Sequence, residues 1–123
     1  MFQNCKNIIN ITMNLSDISC TNMNNMFNCL SSLANIDFIE FNTTKVKKMN
    51  LMFNKCEKLT FLNLSNFIMD NVENAQQMFQ HCSSLTHIDV SSFKKNKIIN
   101  MRQMFGYCYE LLYLDFPHLI HLM

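Results

Sequence analysis

Apolar residues return along this chain at a fixed interval. The pairs Met26-Phe27, Met52-Phe53, Met78-Phe79 and Met104-Phe105 are 26 residues apart, and Met1-Phe2 stands 25 before the first of them. A constant period of this size marks a repeat architecture, in which each unit buries its apolar face only against its neighbours. Counting each Met as zero, column seven reads Ile8, Leu33, Leu59, Leu85, Leu111 and column ten reads Ile11, Ile36, Leu62, Ile88, Leu114. Column twelve reads Met13, Phe38, Leu64, Val90, Phe116. Columns ten and twelve differ by the strand period of two, so the pattern predicts one short strand per unit with these residues inward. Leu15, Phe41, Phe67, Phe93 and Leu119 then supply a large apolar side chain at a corner, where stacking of the phenylalanines is expected.

After the corner the period changes. Val46, Met49, Met52, Phe53 and Cys56 lie at i, i+3, i+6, i+7 and i+10, which predicts one face of a helix about three turns long. The face returns as Val72, Ala75, Met78, Phe79, Cys82 and as Ile98, Met101, Met104, Phe105, Cys108, while Cys20, Met23, Met26, Phe27 and Leu30 form the corresponding set earlier in the chain. Thr44, Asp70 and Asn96 precede the three later faces at the place of an N-cap, and Asp70 with Glu73 has capping-box spacing. The expected fold class is therefore α/β: a leucine-rich-repeat-like solenoid with a short parallel strand and a short helix per 26-residue repeat. It forms one domain over 1–123, with units 1–25, 26–51, 52–77, 78–103 and a partial unit 104–123.

Leu59-x-x-Leu62-x-Leu64 matches the opening of a leucine-rich repeat, although Phe67 stands where many such repeats carry Asn or Cys. The fuller pattern is best carried by Phe61-Leu62-Asn63-Leu64-Ser65-Asn66-Phe67 and His87-Ile88-Asp89-Val90-Ser91-Ser92-Phe93, each preceded by Met-Phe-x-x-Cys-x-x-Leu. It resembles the BspA-like leucine-rich repeats, in the variant found in mycoplasma-type surface lipoproteins. That resemblance covers essentially the whole chain, and it implies surface display, adhesion or host contact by a repeat protein.

Composition narrows the chemistry. About half of the 123 residues are apolar (49%), enough for a continuous core, and a formal charge of +1 gives no field to attract nucleic acid or an anionic membrane. The clusters Lys45, Lys47, Lys48 and Lys94, Lys95, Lys97 read as solvated loop charge. With one Gly and one Pro, turns must rely on Asn, Asp and Ser. No secretory leader is visible: Asn7, Asn10, Asn14 and Asp17 interrupt any apolar run before Cys20. No stretch approaches the ~20 apolar residues of a membrane span. Cys5, Cys56, Cys82 and Cys108 share one column and read as small buried hydrophobes, since stacked helices ~8–10 Å apart place Cα atoms beyond disulfide reach. Cys29, displaced by one, is expected to be the most reactive thiol. His81, His87, His118 and His121 lack converging partners, so no metal or other cofactor is expected, and no motif of an enzyme is present.

The outward strand positions are the candidate site. Asp37, Phe61, Asn63, His87, Asp89, Tyr113 and Asp115 form a mixed aromatic and acidic stripe suited to a protein or glycan ligand, although the reading favoured for the acidic column itself is that it solubilises the sheet and bonds to turn amides. The expectation is a non-catalytic protein-interaction module of a surface or secreted adhesion-type repeat protein. An intracellular scaffold and a structural spacer of a longer array are the alternatives. Strands near both ends lack a polar capping repeat, which points either to a piece of a longer array or to end-to-end self-association.

Overall fold

The computed structural model describes residues 2–16, 19–93, 98–112 and 114. Strands form where column ten and twelve side chains can be buried on one side and polar ones left outside: β1 (Asn10–Asn14), β2 (Asn35–Ile39), β3 (Phe61–Asn63) and β4 (His87–Asp89). β1 pairs with β2 in parallel, Ile11 opposite Ile36, and β3 with β4, Leu62 opposite Ile88. The strands form two separate two-stranded sheets.

The expected helix is absent. Among the described residues there is no helix, so the α/β class and the helix-bearing leucine-rich-repeat-like solenoid do not hold; Thr44 and Asp70 cap nothing and sit in turns, and Asn96 lies outside the described residues. In place of each helix the chain runs through overlapping turns. The N–H groups of Met52, Asn54 and Cys56 donate to the carbonyls three residues back, at Met49, Leu51 and Phe53. The alternate N–H groups of Met49, Leu51, Phe53 and Lys55 instead leave the unit and donate to Asn74, Gln76, Met78 and Gln80 carbonyls at 2.8–3.0 Å. A helix would direct all of these bonds inside the segment. Two residues in each turn segment hold a left-handed backbone, Asn25 and Cys29, Leu51 and Lys55, Gln77 and His81, Gln103 and Tyr107, which breaks any helical run. Because the turns close over three residues, the same side chains face inward as in the helical reading. Val46, Met49, Met52, Phe53 and Cys56 are all buried.

These interlayer bonds are continuous along the chain, with parallel bridges linking Asn22, Lys48, Asn74 and Asn100. They seat the core phenylalanines in register. Phe2, Phe27, Phe53, Phe79 and Phe105 stack at successive centroid distances of 5.9, 5.3, 5.6 and 5.2 Å. At the corner Phe41 stacks on Phe67 at 5.2 Å. Asparagine does much of the turn work that glycine cannot: Asn22, Asn74 and Asn100 accept from the N–H two residues on, and Asn24 accepts from Asn50 N–H in the next layer.

Candidate functional site

Strand alternation places the predicted stripe outside. Phe61 and His87 are exposed and directly opposite one another in the β3–β4 register, and the next outward pair is Asn63 with half-buried Asp89. Phe61 leaves 57% of its surface in solvent, unusual for a phenylalanine in a strand whose inward neighbour Leu62 is fully buried. His87 Nδ1 lies 2.9 Å from Thr86 Oγ1, and Thr86 in turn donates to the Thr60 carbonyl at 3.0 Å, so the imidazole is oriented from the preceding layer. Asp37 is exposed on β2, in the other sheet. Tyr113 and Asp115 lie outside the described residues. The structure thus brings Phe61, Asn63, His87 and Asp89 together on one small sheet.

Asn63 Oδ1 accepts from Ser65 N–H and Asp89 Oδ1 from Ser91 N–H, both at 2.9 Å. Each side chain therefore ends its strand by stabilising the turn that follows. What remains for a ligand is an apolar ring, an imidazole and partly engaged oxygens. This arrangement suits contact with a ring or an apolar side chain, flanked by hydrogen-bonding groups.

A second aromatic group escaped the sequence reading. His81 and Tyr107 stack at 4.4 Å with planes 3° apart, and Tyr109 meets Tyr107 edge-on at 6.2 Å. They belong to a left-handed column, Asn4, Cys29, Lys55, His81 and Tyr107, whose positions recur in the sequence every 26 residues from Cys29 on, with Asn4 25 residues earlier.

The thiols sort by layer. Cys56 and Cys82 are buried, Cys29 and Cys108 half-buried, and Cys5 and Cys20 exposed; all six are free. Cys5 thus departs from the buried column, and Cys29, expected to be the most reactive thiol, is half-buried where Cys5 and Cys20 are exposed. Cys56, Cys82 and Cys108 each donate Sγ–H to a carbonyl of the preceding unit, at Phe27, Phe53 and Phe79, over 3.1–3.3 Å. Burial pushes Cys56 up to about 12 and Cys108 up to about 11, and Cys82 also well above its ordinary value. Such thiols are poor nucleophiles. Among the described residues no group of three His, Cys, Asp or Glu side chains could hold a metal ion, and no helix is long and apolar enough to cross a membrane.

The model of one protein family, described as Mycoplasma protein of unknown function, DUF285, matches residues 1–112. The chain belongs to that family. No curated protein and no solved structure matches it.

Proposed function

We propose, with membership of this Mycoplasma family as the premise, that the chain is a non-catalytic interaction module whose β3–β4 face captures a protein or glycan ligand. The observation that carries the reading is the exposed Phe61 ring set beside His87 in register, with hydrogen-bonding groups of Asn63 and Asp89 one position on. Aromatic anchors ringed by polar groups are the features that concentrate binding energy at interfaces. The relation to BspA-like repeat proteins belongs to the same proposal, and with it a place on the cell surface and a role in adhesion. Under the rival reading of a spacer, the face has no ligand and its residues matter only to the sheet.

The test is capture of the chain by a panel of immobilised extracellular-matrix proteins and glycans, comparing wild type with Phe61→Ser and Tyr113→Ser. Loss of capture of about tenfold or more for Phe61→Ser, with the far-UV circular dichroism unchanged, is the outcome expected of an exposed aromatic anchor that a ligand covers. Capture that survives both substitutions, or no capture at all, leaves the spacer as the better account.

A further inference from the structure

The two sheets part at an internal boundary. No bridge pairs β2 with β3 among the described residues, although the layers that carry them are joined on both sides of the strands. On the turn side the Met23, Asn25, Phe27 and Cys29 N–H groups donate to the Lys48, Asn50, Met52 and Asn54 carbonyls at 2.8–3.1 Å, and Lys47 N–H returns a bond to the Thr21 carbonyl. At the corner the Thr43 hydroxyl donates to the Ile68 carbonyl at 2.9 Å and accepts from the Ile68 N–H at 2.7 Å. One layer earlier the corresponding Asn42 N–H donates directly to the Leu15 carbonyl, so a side chain has taken a place that backbone holds there. Between these two joints the strands stand apart. Leu64 N–H donates to the Asp89 carbonyl, so by strand alternation Leu62 and Leu64 address β4, and the amides of Phe61 and Asn63 point toward β2, where they find no backbone acceptor among the described residues.

Phe38 accounts for the gap. Its ring centroid is 4.7 Å from Phe41 and 4.9 Å from Phe67, and 5.9 Å from Phe27 and 6.1 Å from Phe53. Each pair joins one ring of its own layer to one of the next, so Phe38 sits midway between the two. Phe27 on Phe53 and Phe41 on Phe67 are 18° from parallel, whereas Phe38 stands at 58–82° to all four, its plane running along the stack. Met13, Leu64 and Val90 of its column are buried, and Phe38 is only half-buried. We propose that Phe38 is the prop of a conformational hinge: with the ring between layers the strand side is open, and with the ring withdrawn into its own layer β2 pairs with β3 about the continuous turn side. Parallel strands pair at ~4.7–4.9 Å, slightly less than the 5.2–5.3 Å at which the flanking rings already stack, so closure is a local movement. The open form keeps the edge-to-face ring contacts of Phe38, and the closed form satisfies the Phe61 and Asn63 amides; two packings that each supply what the other lacks make a two-state element. Closure sets Asp37 beside Asn63 on one outward face, and the hinge is independent of whether that face has a ligand.

Amide hydrogen exchange of Phe38→Leu, which gives this column the side chain that Leu64 supplies one layer on, tests it. The expected result is exchange at the Phe61 and Asn63 amides slowed about tenfold or more against wild type, as newly paired amides slow. Phe41→Leu is the comparison: it removes a ring that lies across the stack, and it should loosen the core without slowing either amide. Relaxation dispersion on the wild-type chain gives a second reading that needs no variant. Exchange on the microsecond-to-millisecond scale of hinge motions should appear at Phe38, Phe61 and Asn63, while the Met23, Asn25 and Phe27 amides stay silent. Phe61 and Asn63 amides that exchange as fast or faster in Phe38→Leu, equal slowing in Phe41→Leu, or a wild-type chain without that dispersion each overturns the proposal.

Discussion

Lys55 holds φ at 60°, in the left-handed region, with its side chain exposed. An L-residue with a Cβ pays roughly 1–2 kcal/mol there, whereas glycine pays none of that steric cost but loses more unfolded-state freedom, ~0.5–1 kcal/mol. The difference favours glycine. Lys55→Gly should stabilise the chain by about 0.5–1 kcal/mol, and Lys55→Val, whose β-branch crowds the left-handed conformation, should destabilise it; urea unfolding of the three proteins decides. Gln77, at φ 55°, should not show the gain. Its amide donates to Gln80 Oε1 at 2.9 Å and lies 3.3 Å from Gln103 Oε1, so truncation removes bonds as well as strain. These left-handed positions explain how a chain with one glycine can turn so often: asparagine takes some of them, at Asn4 and Asn25, and interlayer bonds hold the rest.

At the scale of the element, strand length is set by the side chain that begins the next turn. β3 and β4 stop after three residues, where Asn63 and Asp89 accept from the N–H two residues on, whereas β2 runs five residues through Ile39 and turns at left-handed Glu40. The chain thus turns the corner at different points on the two sides of the β2–β3 boundary, which lies between the two sheets. Phe38 wedges there: its ring contacts Phe41, Phe67, Phe27 and Phe53 at 4.7–6.1 Å, where the same column in the next two units holds the smaller Leu64 and Val90. Asn63→Ala should cost about 0.5–1.5 kcal/mol in urea unfolding, the value of one hydrogen bond, and weaken ligand capture less than Phe61→Ser does; capture lost as fully as in Phe61→Ser would make Asn63 an anchor equal to the ring. Which residues are buried was legible in the sequence, because alternation by two and recurrence by three are both direct records of side-chain direction. The backbone of the turn segment was not. Overlapping three-residue turns and a helix put Val46, Met49, Met52 and Phe53 on the same side, and only the handedness of Leu51 and Lys55, which no side chain announces, separates them. The site was legible to the same extent: alternation exposed Phe61 and His87, but the engagement of Asn63 and Asp89 in turns depends on chain direction after the strand.

For the whole molecule, the thiol column links stability to pH. Cys56, Cys82 and Cys108 join successive units through their bonds to the Phe27, Phe53 and Phe79 carbonyls. Burial is the main reason that each holds its proton more tightly in the fold than in the unfolded chain, and at Cys82 the neighbouring Cys56 and Cys108 add to it. Cys56 titrates near its ordinary value of 9.0 when unfolded and at about 12 when folded. Below the lower value both states are protonated and the contribution is fully present. Above it the unfolded chain releases a proton that the folded chain keeps, so stability falls as pH climbs from the unfolded value toward the folded one, by about 1.4 kcal/mol per pH unit for a fully buried thiol. Urea unfolding at about pH 8 and about pH 10 should therefore show a loss at the higher pH, and Cys56→Ala should be less stable at the lower pH yet lose less between the two. Equal losses in both proteins would place the alkaline sensitivity in other groups. The same burial protects the thiols chemically: an alkylating reagent should modify the exposed Cys5 and Cys20 in the folded chain and reach Cys56 and Cys82 only with global unfolding, so that the rate of their modification measures the opening of the stack itself.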